Sequence, residues 1–174
     1  MRKVEVISYQ KQWSLEFKQE ANVLNQIFNQ EIVHIDHIGS TAVEGLKAKP
    51  VIDIMAVCKD IHSIDTYNEA MAEIGYVAKG ENGLPGRRFF EKGGYQRTHH
   101  VHVYQKGDSE VARHLAFRDY LRTHPKEVTR YGGVKEDLAR RFPYDIKSYI
   151  VKKNGIVKEI EHKALMWYDT AIRD

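Results

Sequence analysis

Apolar residues recur at helical spacing early in the chain. Trp13, Phe17, Ala21, Leu24 and Phe28 share one face, which predicts an amphipathic helix over Lys11–Asn29 after a short extended lead-in at Val4–Ile7. The pattern then changes. Ile32–Ile38 and Val51–Val57 read as strands, separated by the polar turn Gly39-Ser40-Thr41. Ile64, Tyr67, Met71 and Ile74 return to helical spacing, with Gly75 as the stop. Lys79–Arg87 is a glycine-rich loop, and Arg88–Lys92 and Val101–Tyr104 read as strands joined through Gly93-Gly94. Ser109 is the expected N-cap of a helix through Arg122, which His124-Pro125 breaks. Val128, Tyr131, Val134 or Lys135, Leu138 and Phe142 mark a second helix. Tyr149, Ile150, Ile156, Ile160, Ala164 and Trp167 mark a third, interrupted at Asn154-Gly155. This order predicts an α+β fold: a core over residues 1–106, and a helical C-terminal extension over 107–174 packed on it as one structural unit.

Composition narrows the class. With 174 residues, 42% of them hydrophobic, the chain can bury a real core, and disorder is excluded. A formal charge of +3 is too small for a long nucleic-acid footprint. The single cysteine, Cys58, excludes an internal disulfide framework and a cysteine-rich zinc site, and reads as a small buried hydrophobe. No run is long and apolar enough to span a membrane, and no targeting segment is visible. The expectation is a cytoplasmic protein with no membrane partner. Oligomeric state is not readable.

Three groups of residues carry candidate chemistry. Gly39-Ser40-Thr41 follows a strand, where a tight turn offers hydroxyls and N–H groups to a phosphate; it equally suits an ordinary strand turn. Asp53 stands mid-strand among apolar neighbours, where a carboxylate needs a metal ion or a Lys/Arg partner. In the run His99–Tyr104, His100 and His102 share a strand face, and Val101 and Val103 the other. Two imidazoles so spaced can bind one metal, grip a phosphate, or simply meet solvent. Arg87, Arg88, Lys92 and Arg97, with Arg113, Arg118 and Arg122, are either phosphate ligands or a solvated charged surface. Lys135 and Arg140-Arg141 read as solvated. His62, His114, His124 and His162 have no partner pattern.

These residues resemble the GrpB family. The resemblance rests on the run from His37 through Gly39-Ser40-Thr41 and Lys49-Pro50 to Asp53-Ile54, and on Arg88-Phe89-Phe90 and His100-Val101-His102-Val103. It extends to Phe117-Arg118-Asp119-Tyr120-Leu121-Arg122, Lys163-Ala164 and Trp167-Tyr168. Glu44 stands where a proline is expected. The family is similar to the nucleotidyltransferase superfamily, which implies a mixed β-sheet flanked by helices. The resemblance implies Gly39, Ser40, Thr41, Lys49, Arg88 and Arg118 as nucleotide- or phosphate-binding residues. It implies Asp53, His100 and His102 as catalytic and metal-holding residues, with Mg, Mn or Zn as the divalent ion. Superfamily members place a second acid two positions after the first. Here that position is Met55, which cannot bind a hard cation, and a histidine stands where the third acid is expected. One Asp and two His can hold a single metal but not two Mg²⁺. The resemblance thus implies a partner that is a nucleotide or another phosphorylated small molecule. Three activities remain open: nucleotidyl transfer at a modified site, a catalytically inactive nucleotide- or coenzyme-binding module, and metal-dependent phosphate hydrolysis.

Overall fold

A computed structural model describes residues 2–173 of the chain. Five strands, β1 (Ile32–Ile38), β2 (Ile52–Cys58), β3 (Tyr76–Ala78), β4 (Arg88–Lys92) and β5 (His99–Gln105), form one mixed sheet in the order β1-β2-β5-β4-β3. Only β2 and β5 run parallel; the other neighbours are antiparallel. The helices are α1 (Gln12–Phe28), α2 (Asn68–Glu73), α3 (Ser109–Thr123), α4 (Pro125–Arg141) and α5 (Ile146–Arg173).

Strand alternation sorts the side chains into two layers. Ile52, Ile54, Ala56 and Cys58 of β2, Val101 and Val103 of β5 and Phe90 of β4 face a core closed by Trp13, Leu24 and Phe28 of α1 and Met71 of α2. Met55 and Val57 of β2, Ile38 of β1 and Tyr104 of β5 face the other way, against Val111 and Leu115 of α3. Asp53, His100 and His102 belong to this second face, toward the N-terminal end of β2.

The C-terminal helices bury their apolar stripes on the rest of the chain. Ala116, Tyr120 and Leu121 of α3, Tyr131 of α4, and Ile160 and Ala164 of α5 enclose Val43 and Leu46 from the loop after β1. Leu138 and Tyr149 enclose Val4 of the N-terminal segment. Ile7 is tied to Ala48 by a pair of backbone hydrogen bonds. No described helix is long and apolar enough to cross a membrane.

Several expectations shift, each for a local reason. The helix expected over 64–74 is divided into a 3₁₀ segment, Ile61–Tyr67, and the short α2. β3 adds a three-residue edge strand where the sequence shows no alternation long enough to read. The cap of α3 is Asp108, whose carboxylate accepts from the Glu110 N–H, and not Ser109. Pro125 takes the first position of α4, where its missing N–H costs nothing, so His124-Pro125 makes a corner between helices. α5 runs unbroken through Asn154-Gly155 because Ile156, Val157, Ile160 and Ala164 continue one buried stripe.

Phe28→Ala should cost about 3–5 kcal/mol, because it empties a fully buried aromatic site between α1 and the sheet. Leu15→Ala, on the exposed face of the same helix, should cost less than about 0.5 kcal/mol. Urea denaturation of the two variants measures both.

Candidate functional site

A cleft of about 550 Å³ opens between the Asp53 end of the sheet and helices α3, α4 and α5. Antiparallel register places Ile38, the last residue of β1, beside Asp53 of β2. The chain must then turn across that carboxylate. Gly39 does so with φ 71°, and a Cβ at this position would lie 2.8 Å from Asp53 Oδ2. The glycine is therefore required twice over, by backbone conformation and by close approach.

Parallel register sets Asp53 beside His100 and Met55 beside His102. Both imidazoles lean toward the same carboxylate oxygen: His102 Nε2 is 3.2 Å and His100 Nδ1 3.5 Å from Asp53 Oδ1. The other nitrogen of each ring meets an arginine. Arg97 Nη1 lies 2.9 Å from His100 Nε2, and Arg87 Nη1 3.4 Å from His102 Nδ1. A guanidinium only donates, so each of these outer nitrogens must accept. The ring protons then sit on the inner nitrogens and point at Asp53. Burial by itself would raise the Asp53 pKa. The hydrogen bonds from His100 and His102 outweigh it and hold the carboxyl well below its ordinary value. Phe89 packs against both imidazoles, at 5.2 and 5.1 Å between ring centres.

The sequence expectation that Asp53, His100 and His102 converge is met in geometry. Their fit to a metal is poor. A metal needs a lone pair on the ring nitrogens nearest Asp53, and the arginines donating to the outer nitrogens favour the tautomers that carry a proton there instead. Met55, where a second acid would stand, is fully buried under α3 with Ile38, Val57 and Tyr104. Among the described residues no group of three or more His, Cys, Asp or Glu side chains is arranged to hold an ion.

The opposite wall is cationic. Lys135 of α4 is 2% exposed and donates to Ser40 Oγ at 2.8 Å. Its ammonium lies 4.3 Å from the Tyr131 ring centre. Lys49 and Lys153 lie 5.3 and 5.2 Å from the ring centre of Tyr149. None of the three lysines has a carboxylate partner among the described ion pairs. Desolvation, then repulsion from Lys153 and Lys49, holds the Lys135 pKa well below its ordinary value. Desolvation and repulsion from Lys153 and Arg2 bring Lys49 down to about 8. The Tyr149 hydroxyl is buried and has no hydrogen-bond partner. One buried and two half-buried lysines, with Asp53 as the carboxylate acting on Lys49 and Lys153, share this cleft with a buried orphan hydroxyl, an arrangement whose desolvation cost a further anion would lower.

Not every expected residue faces this cleft. Gly39, Ser40, Thr41, Lys49, Asp53, His100 and His102 line it. Thr41 is already engaged, since its hydroxyl donates to the Val51 carbonyl and accepts from His37 Nε2. His37, stacked on Phe17, is brought down to about 4 by burial. Arg88 is not brought to the cleft. It pairs with Val103, on the α1 side of the sheet, and forks onto Asp65. Arg118 also lies outside, donating to the His37 carbonyl and to Asp119. With Arg122, which donates twice to the Ala42 carbonyl, it clamps the turn from outside.

The sequence reading missed Lys135, Lys153, Tyr149 and His114. His114 lines the cleft and meets the Tyr104 hydroxyl at 3.0 Å; burial and then Arg113 bring it down to about 3. A signal for the lysines exists. Tyr131 and Lys135, and Tyr149 and Lys153, are two Tyr-x-x-x-Lys pairs, each four apart on one helical face. Lys135 is buried and Lys153 half-buried, and both line the cleft, where a charge is costly unless used.

A family model described as GrpB protein matches residues 3–163. The UPF0157 protein YqkA of Bacillus subtilis is 44% identical over 166 residues, covering 95% of this chain and 48% of its own length. The chain thus spans about half of that relative. The crystal structure of the conserved protein GrpB from Enterococcus faecalis matches with a TM-score of 0.92 and 43% identity, over 94% of this chain and 99% of that one. Cid1 in complex with the UTP analogue UMPNPP matches with a TM-score of 0.54 and 10% identity, over 78% of this chain and 43% of that one. The fold is therefore that of the nucleotidyltransferases.

The arginines dictate opposite tautomers for the two histidines. In the free protein near neutral pH, long-range ¹H–¹⁵N correlation should find His100 protonated on Nδ1 and His102 on Nε2. Finding both on Nε2 would contradict this arrangement.

Proposed function

The chain belongs to the GrpB family, and from that premise we propose that it binds the phosphate chain of a nucleotide, or of another phosphorylated small molecule, in this cleft. The observation that carries the reading is that Lys49, Lys135 and Lys153 line one cleft with Ser40, that Lys135 donates to its hydroxyl, and that none of the three forms an ion pair among the described residues. An anion would remove their mutual repulsion and supply the acceptors that desolvation took away. Gly39 and Ser40 would meet the phosphate oxygens at the turn. Lys135 would bridge from Ser40 to the ligand, and the Tyr149 hydroxyl would gain the partner it lacks. Arg88 and Arg118 have no part in this reading.

Two outcomes for chemistry follow from the same bound state. Met55 favours a binding module without turnover, because no second acid is available for two-ion transfer. The placement of Asp53 directly under Gly39, in a nucleotidyltransferase fold, favours transfer at a modified site. Incubation with each of the four nucleoside triphosphates and Mg²⁺ or Mn²⁺ separates them. Pyrophosphate release that disappears in Asp53→Asn supports transfer; tight binding with no release supports the module. Phosphate hydrolysis through an Asp53–His100–His102 metal is the weakest reading, given the protons those rings present.

Two predictions test the lysines. Lys135→Met removes a costly buried charge, so the free protein should become more stable by about 1–3 kcal/mol. Its affinity for inorganic pyrophosphate should fall roughly 10- to 100-fold, the loss of one charge-assisted hydrogen bond. Thermal unfolding and calorimetry read the two changes, and a destabilised variant with unchanged affinity would contradict the assignment. The second prediction concerns pH. Lys49 titrates at about 8 in the free protein, and a bound anion favours its charged form. Affinity should therefore be level below about pH 8 and fall above it, with proton uptake on binding in calorimetric buffers of different ionisation heat. In the free protein the same depressed value works the other way. The unfolded chain binds more protons between about 8 and the ordinary lysine value, so stability rises with pH across that window.

A further inference from the structure

A second cavity, of about 590 Å³, lies beside the cleft and is bounded by the N-terminal segment, the start of β2 and the loop between β4 and β5. Its charged lining is Arg2, Lys3, Lys49 and Arg97 against the single acid Glu5. Arg2 and Lys49 form no ion pair among the described residues. Arg97 is held in place: Nη1 donates to Glu91 at 2.7 Å and also meets His100, and Nε donates to the Gly94 carbonyl at 3.3 Å. Its Nη2 has no hydrogen-bond partner among the described residues.

The loop that carries Arg97 is stiff. Gly93 has φ 104°, and a Cβ there would lie 2.4 Å from the Gln96 carbonyl oxygen. Backbone bonds from Gln96 to Gly93 and from Thr98 to Lys92 close it. This fixed loop holds Tyr95 with 84% of its surface exposed at the rim of the cavity. An exposed aromatic ring on a rigid loop beside unpaired cations is a recognition feature with no packing role of its own.

The two cavities are neighbours. Lys49 and Val51 line both, and Arg97 touches His100, which faces Asp53. We propose that this second cavity is an oxyanion site that holds the carboxylate or phosphoryl group of a small second molecule, whose remaining part then lies at Asp53 beside the nucleotide phosphates. The anion site stands on its own lining; its role as the seat of a co-substrate rests on the nucleotide reading above. Its cations neutralise one or two negative charges, which suits a metabolite-sized anion and not a nucleic-acid strand, in keeping with a net charge of only +3. Desolvation and then repulsion from Arg97 lower the pKa of Arg2, a cost that a bound anion would relieve.

The test uses the full chain with its cleft saturated by inorganic pyrophosphate. Acetate and inorganic phosphate are then titrated separately while backbone amides are followed by ¹H–¹⁵N correlation. The amides of Tyr95, Gln96 and Arg97 should shift saturably with at least one probe, and the better probe tells carboxylate from phosphoryl recognition. Arg2→Gln lies outside the cleft. It should weaken that titration at least fivefold, while pyrophosphate affinity stays within twofold. Shifts confined to Gly39–Thr41, or shifts at Tyr95–Arg97 that Arg2→Gln leaves unchanged, would overturn the proposal. If pyrophosphate fails to bind and the Tyr95–Arg97 amides still titrate, the anion site stands and the nucleotide reading falls.

Discussion

A lysine ammonium, almost wholly removed from water, donates to a serine hydroxyl and to no carboxylate. The contact between Lys135 and Ser40 ties α4 to the turn after β1, and nothing in it repays the desolvation of the charge. Lys49 and Lys153 add to the cost by repelling it. Native proteins are only marginally stable, and the anion proposed above would offset this cost. The helical segment thus does more than cover the sheet. Its apolar stripe closes on Val43 and Leu46, and with it Lys135 reaches the glycine-serine turn while Lys153 lines the same cleft.

The sheet supplies the other wall by register alone. β1 against β2 puts Gly39 over Asp53, and β2 beside β5 puts two histidines against one carboxylate. Arg87 and Arg97 then decide what those histidines are. In sequence, one acid and two alternating histidines look like metal ligands. With a guanidinium behind each ring, they are proton donors to Asp53. The two walls therefore have different chemistry: lysines without partners on one side, and a carboxylate with all its local protons supplied on the other.

Much of this was legible before the structure. Period-two alternation at His100–Tyr104 and a lone acid in an apolar run correctly named the side chains that meet. What was not legible depends on tertiary register. Arg88 looked like a phosphate ligand, but the pairing of β4 with β5 turns Phe89 toward the cleft and Arg88 toward Asp65. Arg118 and Arg122 sit one above the other on α3, as their spacing requires, and spend their donors on backbone carbonyls of the turn. Lys135 was read as solvated because charge argues for the surface. Its position on the buried face of α4, four residues after Tyr131, argued the reverse. The fold class followed from element order, whereas β3 and the unbroken α5 depended on packing that local pattern does not contain.

The central claim is that the lysine wall and the Ser40 turn receive a phosphate chain. A crystal structure of the protein grown with inorganic pyrophosphate tests it most directly. The account predicts pyrophosphate in contact with the ammonium groups of Lys135 and Lys153, Lys135 still bonded to Ser40 Oγ, and the Tyr149 hydroxyl hydrogen-bonded to one of its oxygens. Pyrophosphate bound elsewhere, or a Tyr149 hydroxyl still without a partner in the bound state, would contradict it.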